Sequence, residues 1–93
     1  MKDFLTNVRK TAIEKKLEFM CGMHQSGITW LCFNVESDVG DWIRECARHD
    51  LYMVTIDRID PSYRITISFG WFNKEQSEKA VLSMLRNMPT RNP

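Results

Sequence analysis

The sequence predicts an α+β domain in the order α-ββα-ββα. It has a four-stranded antiparallel sheet, two helices on one face of it, and a further helix at the N-terminus. Three observations predict this. Residues 17–49 read strand, turn, strand, helix, and residues 51–88 repeat that order as a ββα pseudo-repeat. Leu17-Glu18-Phe19 opens the first unit and Leu51-Tyr52-Met53 opens the second. Ahead of both, residues 3–16 carry apolar side chains at the i, i+3, i+4 spacing of a helix with one buried stripe.

That first helix sets Phe4, Leu5, Val8, Ala12 and Ile13 along one side, with Arg9, Lys10, Lys15 and Lys16 elsewhere, and Asp3 as its N-cap. In the first hairpin, Gln25-Ser26-Gly27 reads as a three-residue loop, with Gly27 free to take a left-handed conformation. Setting His24 opposite Ile28 pairs Leu17 with Val35, Phe19 with Phe33 and Cys21 with Leu31, all on one apolar face. The opposite face then carries Glu18, Met20, Gly22 and His24 beside Ile28, Trp30, Cys32 and Asn34. A slip of one residue would exchange the two faces. The second helix follows Ser37 or Asp38 and buries Val39, Trp42, Ile43, Cys46 and Ala47.

The second hairpin alternates more cleanly. Tyr52, Val54 and Ile56 point inward, as do Tyr63, Ile65, Ile67, Phe69 and Trp71. Arg64, Thr66 and Ser68 face outward with Met53, Thr55 and Asp57, and Asp60-Pro61-Ser62 makes the turn. Asp57 and Arg64 are expected to lie opposite each other. The third helix starts after Asn73, with Gln76 at capping-box spacing, buries Ala80, Val81, Met84, Leu85 and Met88, and ends at Pro89. Residues 89–93 are expected to be a loose tail.

The 93 residues suffice for one domain, 1–93, and 43% apolar with 27% charged residues fits a globular chain. No apolar run approaches the roughly 20 residues a membrane helix needs. The start lacks a secretory apolar segment, and the three cysteines form no disulfide framework, so a cytoplasmic setting is expected. The net charge of +1 is unevenly distributed. Residues 1–16 and 61–93 are each basic, whereas 36–60 hold seven acids against three arginines.

Four apolar residues, Met20, Ile28, Trp30 and Cys32, make the leading candidate for a binding site, with Glu18, His24 and Asn34 as its polar rim. Helix 1 packing over this face, or Trp30 lying across Gly22, would explain the same pattern. Cys21-Gly-Met-His24 and Cys46-Ala-Arg-His49 repeat a C-x-x-H spacing, the ligand types of a zinc site. On a strand, however, Cys21 and His24 point to opposite faces, and Cys46 falls in an apolar stripe. Packed thiols and surface histidines are the simpler reading, so no metal, cofactor or catalytic residue is assigned. No phosphate loop or nucleophile elbow is present. Asp38, Asp41 and Glu45 suit the positive end of the second helix. Met20, Met23, Met53, Met84 and Met88 suit either adaptable surfaces or irregular core gaps.

The order helix, hairpin, helix, hairpin, helix is similar to that of type III secretion chaperones, small dimeric proteins that hold unfolded effectors. The likeness is of element order. The profile is also similar to that of small phage-encoded proteins, inhibitors of host defence among them. Both resemblances imply binding without chemistry. The expected function is therefore a non-enzymatic protein-interaction module, a small regulator, inhibitor or adaptor that binds a larger protein or homodimerises. The alternative is a nucleic-acid-binding regulator using Arg9, Lys10, Lys15 and Lys16 with Lys74, Lys79, Arg86 and Arg91.

Overall fold

The computed structural model describes residues 2–24, 27–51, 53–69 and 74–90. Its elements run α1 (Lys2–Lys15), β1 (Phe19–His24), β2 (Gly27–Val35), α2 (Val39–Arg48), β3 (Val54–Ile59), β4 (Ser62–Ser68) and α3 (Lys74–Asn87). The α+β order read from the sequence is the observed one. All strand pairs are antiparallel, and the sheet order is β1-β2-β4-β3, so the two hairpins meet along β2 and β4.

Alternation along the two central strands places Leu31, Phe33 and Val35 on the same face as Ile65 and Ile67, and all five are buried. Phe4, Val8 and Ala12 of α1, Trp42 and Cys46 of α2, and Val81, Met84 and Leu85 of α3 join them in one cluster. All three helices therefore cover the same, inner face. The Trp42 ring lies 5.1 Å from that of Phe33, and Phe4 meets Phe69 edge-on at 5.9 Å.

The helical stripes are narrower than the sequence suggests. Ile13 and Ile43 are exposed, and so is Ala47, because these positions flank the buried rows of α1 and α2 instead of facing the sheet. Asp3 lies inside the first turn of α1, where its charge suits the helix dipole, and does not cap it. Asp38 occupies the N-cap position of α2 without a side-chain cap bond; its carboxylate accepts from the Glu36 amide at 3.0 Å.

Hairpin 1 differs from expectation in its register. Phe19 pairs with Phe33, Met20 with Cys32, Cys21 with Leu31 and Gly22 with Trp30, as the apolar pattern requires. Beyond Gly22 the ladder shifts, so that Met23 meets Ile28 and His24 meets Gly27, leaving Thr29 as the extra residue. The Thr29 hydroxyl donates to the Gly22 carbonyl at 3.2 Å and holds the bulge. Gly27 has φ 117°, a conformation that favours glycine. Ile28 is thereby turned from the outer face to the inner one, where it is 3% exposed and part of the core.

In hairpin 2, Asp57 pairs with Arg64 as expected, and Ile59 pairs with Ser62, so Asp60-Pro61 alone makes the turn, with a cis peptide bond. Tyr52, Trp71, Arg91 and the Asn73 cap lie outside the described residues. So do the Gln25-Ser26 part of the first loop and the end of the tail.

The first two helices stop in the same way. Lys16 and Asp50 each take φ 58°. Leu17 N–H then donates to the Ala12 carbonyl at 2.8 Å and Lys16 N–H to Ile13 at 3.2 Å; Leu51 N–H donates to Cys46 at 2.9 Å and Asp50 N–H to Ala47 at 3.1 Å. This is the Schellman arrangement, with the following leucine buried in each case. The step from Leu17 to Leu51 also carries Cys32 to Thr66, which pair directly, while Leu31 pairs with Ile67 and Phe33 with Ile65. The central strands thus repeat about a local two-fold axis between Cys32 and Thr66.

A lysine in the left-handed region is strained by roughly 1 kcal/mol relative to glycine. Lys16→Gly is expected to raise stability by up to about 1 kcal/mol, since glycine's greater unfolded-state freedom offsets part of the gain. The measurement is a higher denaturant midpoint at unchanged slope; a lower midpoint would contradict it.

Candidate protein-interaction face

The register places the outer face of the sheet in three rows across the strands. Glu18, Asn34, Arg64 and Asp57 form a polar row; Met20, Cys32, Thr66 and Thr55 a middle row; Gly22, Trp30, Ser68 and Met53 an apolar one. No helix lies over them, because the three helices share the opposite face. Met20 is 50% exposed and Trp30 36%, and Met53 is also exposed.

Trp30 is held flat by its cross-strand neighbour. A Cβ at position 22 would collide with the indole, falling 2.7 Å from Cδ1 and nearer still to Nε1 and Cε2. Glycine at 22 therefore lets the ring rest on the β1 backbone, with its other side open to solvent. Cys32 points the same way yet is only 4% exposed, and it lies outside the core cluster. In the middle of a central strand, neighbouring side chains cover so small a residue. Its burial is under the patch, not in the core.

Four of the sequence-predicted residues with described side chains thus share the outer face on hairpin 1 apart from Cys32: Met20 and Trp30 as exposed apolar groups, Glu18 and Asn34 at the rim. The Asn34 amide donates to the Glu18 carboxylate at 3.1 Å, an exposed bond worth under about 1 kcal/mol. Ile28 is removed from the site by the bulge. His24 pairs with Gly27 at the end of β1, and its side chain lies outside the described residues. The alternative named from the sequence, Trp30 lying across Gly22, is the observed arrangement, and it leaves one side of the ring exposed.

At the polar end of the face, a groove of about 350 Å³ is lined by Lys16, Glu18, Asn34, Asp60, Tyr63 and Arg64 among others. The Arg64 Nε is buried there with no hydrogen-bond partner. On the helical side, a second groove of about 340 Å³ brings Lys10 and Lys15 of α1 together with Arg86 of α3, beside Asn7, Thr11 and Glu14. Three of the basic residues named from the two ends of the chain meet there.

Of the two C-x-x-H pairs, the His24 side chain lies outside the described residues, so only Cys46 and His49 can be placed fully. Cys46 is buried, with its thiol 3.6 Å from the Met84 sulfur. His49 Nε2 stands 3.7 Å from Glu45 Oε1, while Arg48 holds the other Glu45 oxygen at 3.0 Å. Among the described residues, no group of three or more His, Cys, Asp or Glu is placed to hold a metal ion. Burial, and secondarily the Glu45 charge, push the Cys46 thiol from its ordinary 9.0 to about 11. It stays a neutral thiol at physiological pH, the opposite of an activated nucleophile. No helix among the described residues is long and apolar enough to cross a membrane.

Comparison of the chain with family models, with curated proteins and with solved structures finds no match.

Because folded Cys46 holds its proton more tightly than the unfolded thiol, its contribution to stability is fully present below pH 9 and is lost as pH rises towards 11. The expected loss is about 2–3 kcal/mol. It is measured as the difference in the alkaline stability profile between wild type and Cys46→Val; identical profiles would contradict it.

Proposed function

We propose that this chain is a non-enzymatic protein-interaction module that acts by binding a larger protein through the outer face of hairpin 1. We read it as a small regulator, inhibitor or adaptor of the kind phages and mobile elements encode. The observation that carries this reading is the Trp30 ring, seated on Gly22 with one side open and Met20 exposed beside it. A flat, immobilised aromatic loses little entropy on binding and is a frequent anchor of protein interfaces. The Glu18–Asn34 pair supplies the polar rim that such anchors have. The raised Cys46 thiol speaks against Cys46 as a nucleophile, and three cysteines free of disulfides suit a reducing, cytoplasmic setting.

Trp30→Asp is expected to abolish association, read as loss of proteins captured on the immobilised chain and as loss of any self-association in light scattering. Far-ultraviolet dichroism and cooperative melting are expected to stay unchanged, since the ring lies outside the core. A variant that unfolds, or that still captures the same proteins, would overturn the reading.

A second reading rests on the α1–α3 groove, where Lys10, Lys15 and Arg86 form no ion pair among the described residues. Such a cluster suits a nucleic-acid phosphate backbone. Binding to single- or double-stranded DNA or RNA would then fall steeply with salt, and Lys10→Glu with Arg86→Glu would flatten that slope by about one unit per lost contact. No binding at about 20 mM salt would exclude it.

A further inference from the structure

The outward edge of β1 is the least guarded margin of the sheet. The Asn34 amide donates to the Glu18 carbonyl at 3.3 Å, which fixes the alternation of the ladder. Glu18, Met20 and Gly22 bond to β2, whereas Phe19, Cys21 and Met23 turn their N–H and C=O groups away from it. Sheet edges are normally protected by charges, proline or bulges that turn the edge aside. The other edge, β3, carries Asp57 and Arg58. From Phe19 to Met23, β1 has no charge and no proline, and the bulged residue of hairpin 1 sits on β2. Exposed apolar side chains lie on both faces of this strand: Met23 is 61% exposed on the inner side and Met20 50% on the outer.

We propose that β1 pairs antiparallel with β1 of a second copy, about a two-fold axis at Cys21, joining the two sheets edge to edge. Three features of the strand fit a second copy of this chain better than a foreign strand. First, the outward groups are symmetric about Cys21, so this register pairs Cys21 with its own equivalent and Phe19 with Met23 of the second copy, leaving none of the three unpaired. Second, the same register sets Met20 opposite Gly22 of the second copy, where no side chain obstructs it. The thioether then packs against the edge of the Trp30 indole that lies over that glycine. Third, Glu18 falls opposite position 24 of the second copy, which holds no acid, so the two-fold sets no like charges against each other. The exposed Met23 is covered by Phe19 in the same step.

This deepens the reading of hairpin 1 as an interaction surface and rests on it for Met20 and Trp30; the unpaired backbone of β1 is a separate observation. It also allows both uses at once, because edge pairing engages only the edge of the indole and leaves its open side and the polar row of the outer face free.

The test is light scattering of the full chain across a concentration series, combined with amide hydrogen exchange. The expected result is a mass of twice the 11.0 kDa chain, with the Phe19, Cys21 and Met23 amides protected at least about tenfold more in the dimer than after dilution. Cys21→Pro removes an N–H that points away from β2, so it should give a monomer with unchanged dichroism. Met23→Lys tests the same margin should the proline variant fail to fold, and it should also give a monomer. A wild-type monomer at every concentration overturns the proposal. So does a dimer in which those three amides exchange freely, or a mass that climbs past two copies. A wild-type monomer that still loses its captured proteins on Trp30→Asp would sink the dimer alone and leave the proposed function standing.

Discussion

Everything in this fold depends on β2 having strands on both sides. A strand flanked by β1 and β4 meets water through neither edge, so its side chains alone decide which way the sheet faces. Leu31, Phe33 and Val35 commit one face to the interior, and Ile65 and Ile67 extend that commitment onto β4. Three helices can then share a single side of four strands. Trp42 closes over Phe33, and its indole Nε1 has no hydrogen-bond partner, so the closure rests on apolar packing. Once the helices are drawn to one face, the other is bare by necessity, and its composition becomes the question of what the protein does.

Hairpin 1 answers with an uneven surface. An ordinary solvated face would be polar from end to end, as β3 nearly is. Here Trp30 is flattened onto glycine and Cys32 is sealed beneath its neighbours, while Glu18 and Asn34 satisfy each other at the far end. Arg64 sits in the polar row with its Nε desolvated and unpartnered. A buried guanidinium nitrogen without an acceptor is costly, and a carboxylate or carbonyl arriving from outside would relieve it. The face is therefore graded, from an apolar anchor to a charged one, over a distance of about 14 Å, four residues along an antiparallel strand.

The element order was legible because each element repeats its period several times. Tyr63, Ile65 and Ile67 mark β4 by alternation, and Val81, Met84, Leu85 and Met88 mark α3 by helical spacing. The register of hairpin 1 was legible up to Gly22, since pairing Phe19 with Phe33 is the arrangement that gathers the apolar residues. It failed beyond that point because a bulge changes the count by one, and nothing in Gly27-Ile28-Thr29 says which strand carries the extra residue. Ile28 therefore passed for a surface residue. Ile13 and Ile43 failed in the opposite sense: their spacing shows that they are apolar, but not that a neighbouring element reaches them. The meeting of Lys10 and Lys15 with Arg86 could not be read at all. It depends on α1 packing beside α3, which no local pattern encodes.

The strand order has a consequence for how the chain assembles itself. β1 and β2, like β3 and β4, follow each other closely in the chain, so each hairpin can form from contacts between near neighbours. Among the strand pairs, the seam between β2 and β4 alone unites distant segments, with Val35 reaching Tyr63 and Trp30 reaching Ser68. Closing such a long loop costs entropy before any contact across it is gained. The seam is thus the late event of folding, and until it closes, the apolar sides of both hairpins lie open together. The same residues that make the finished core are then the ones most exposed to misassociation, and the speed with which β2 finds β4 sets how long that exposure lasts.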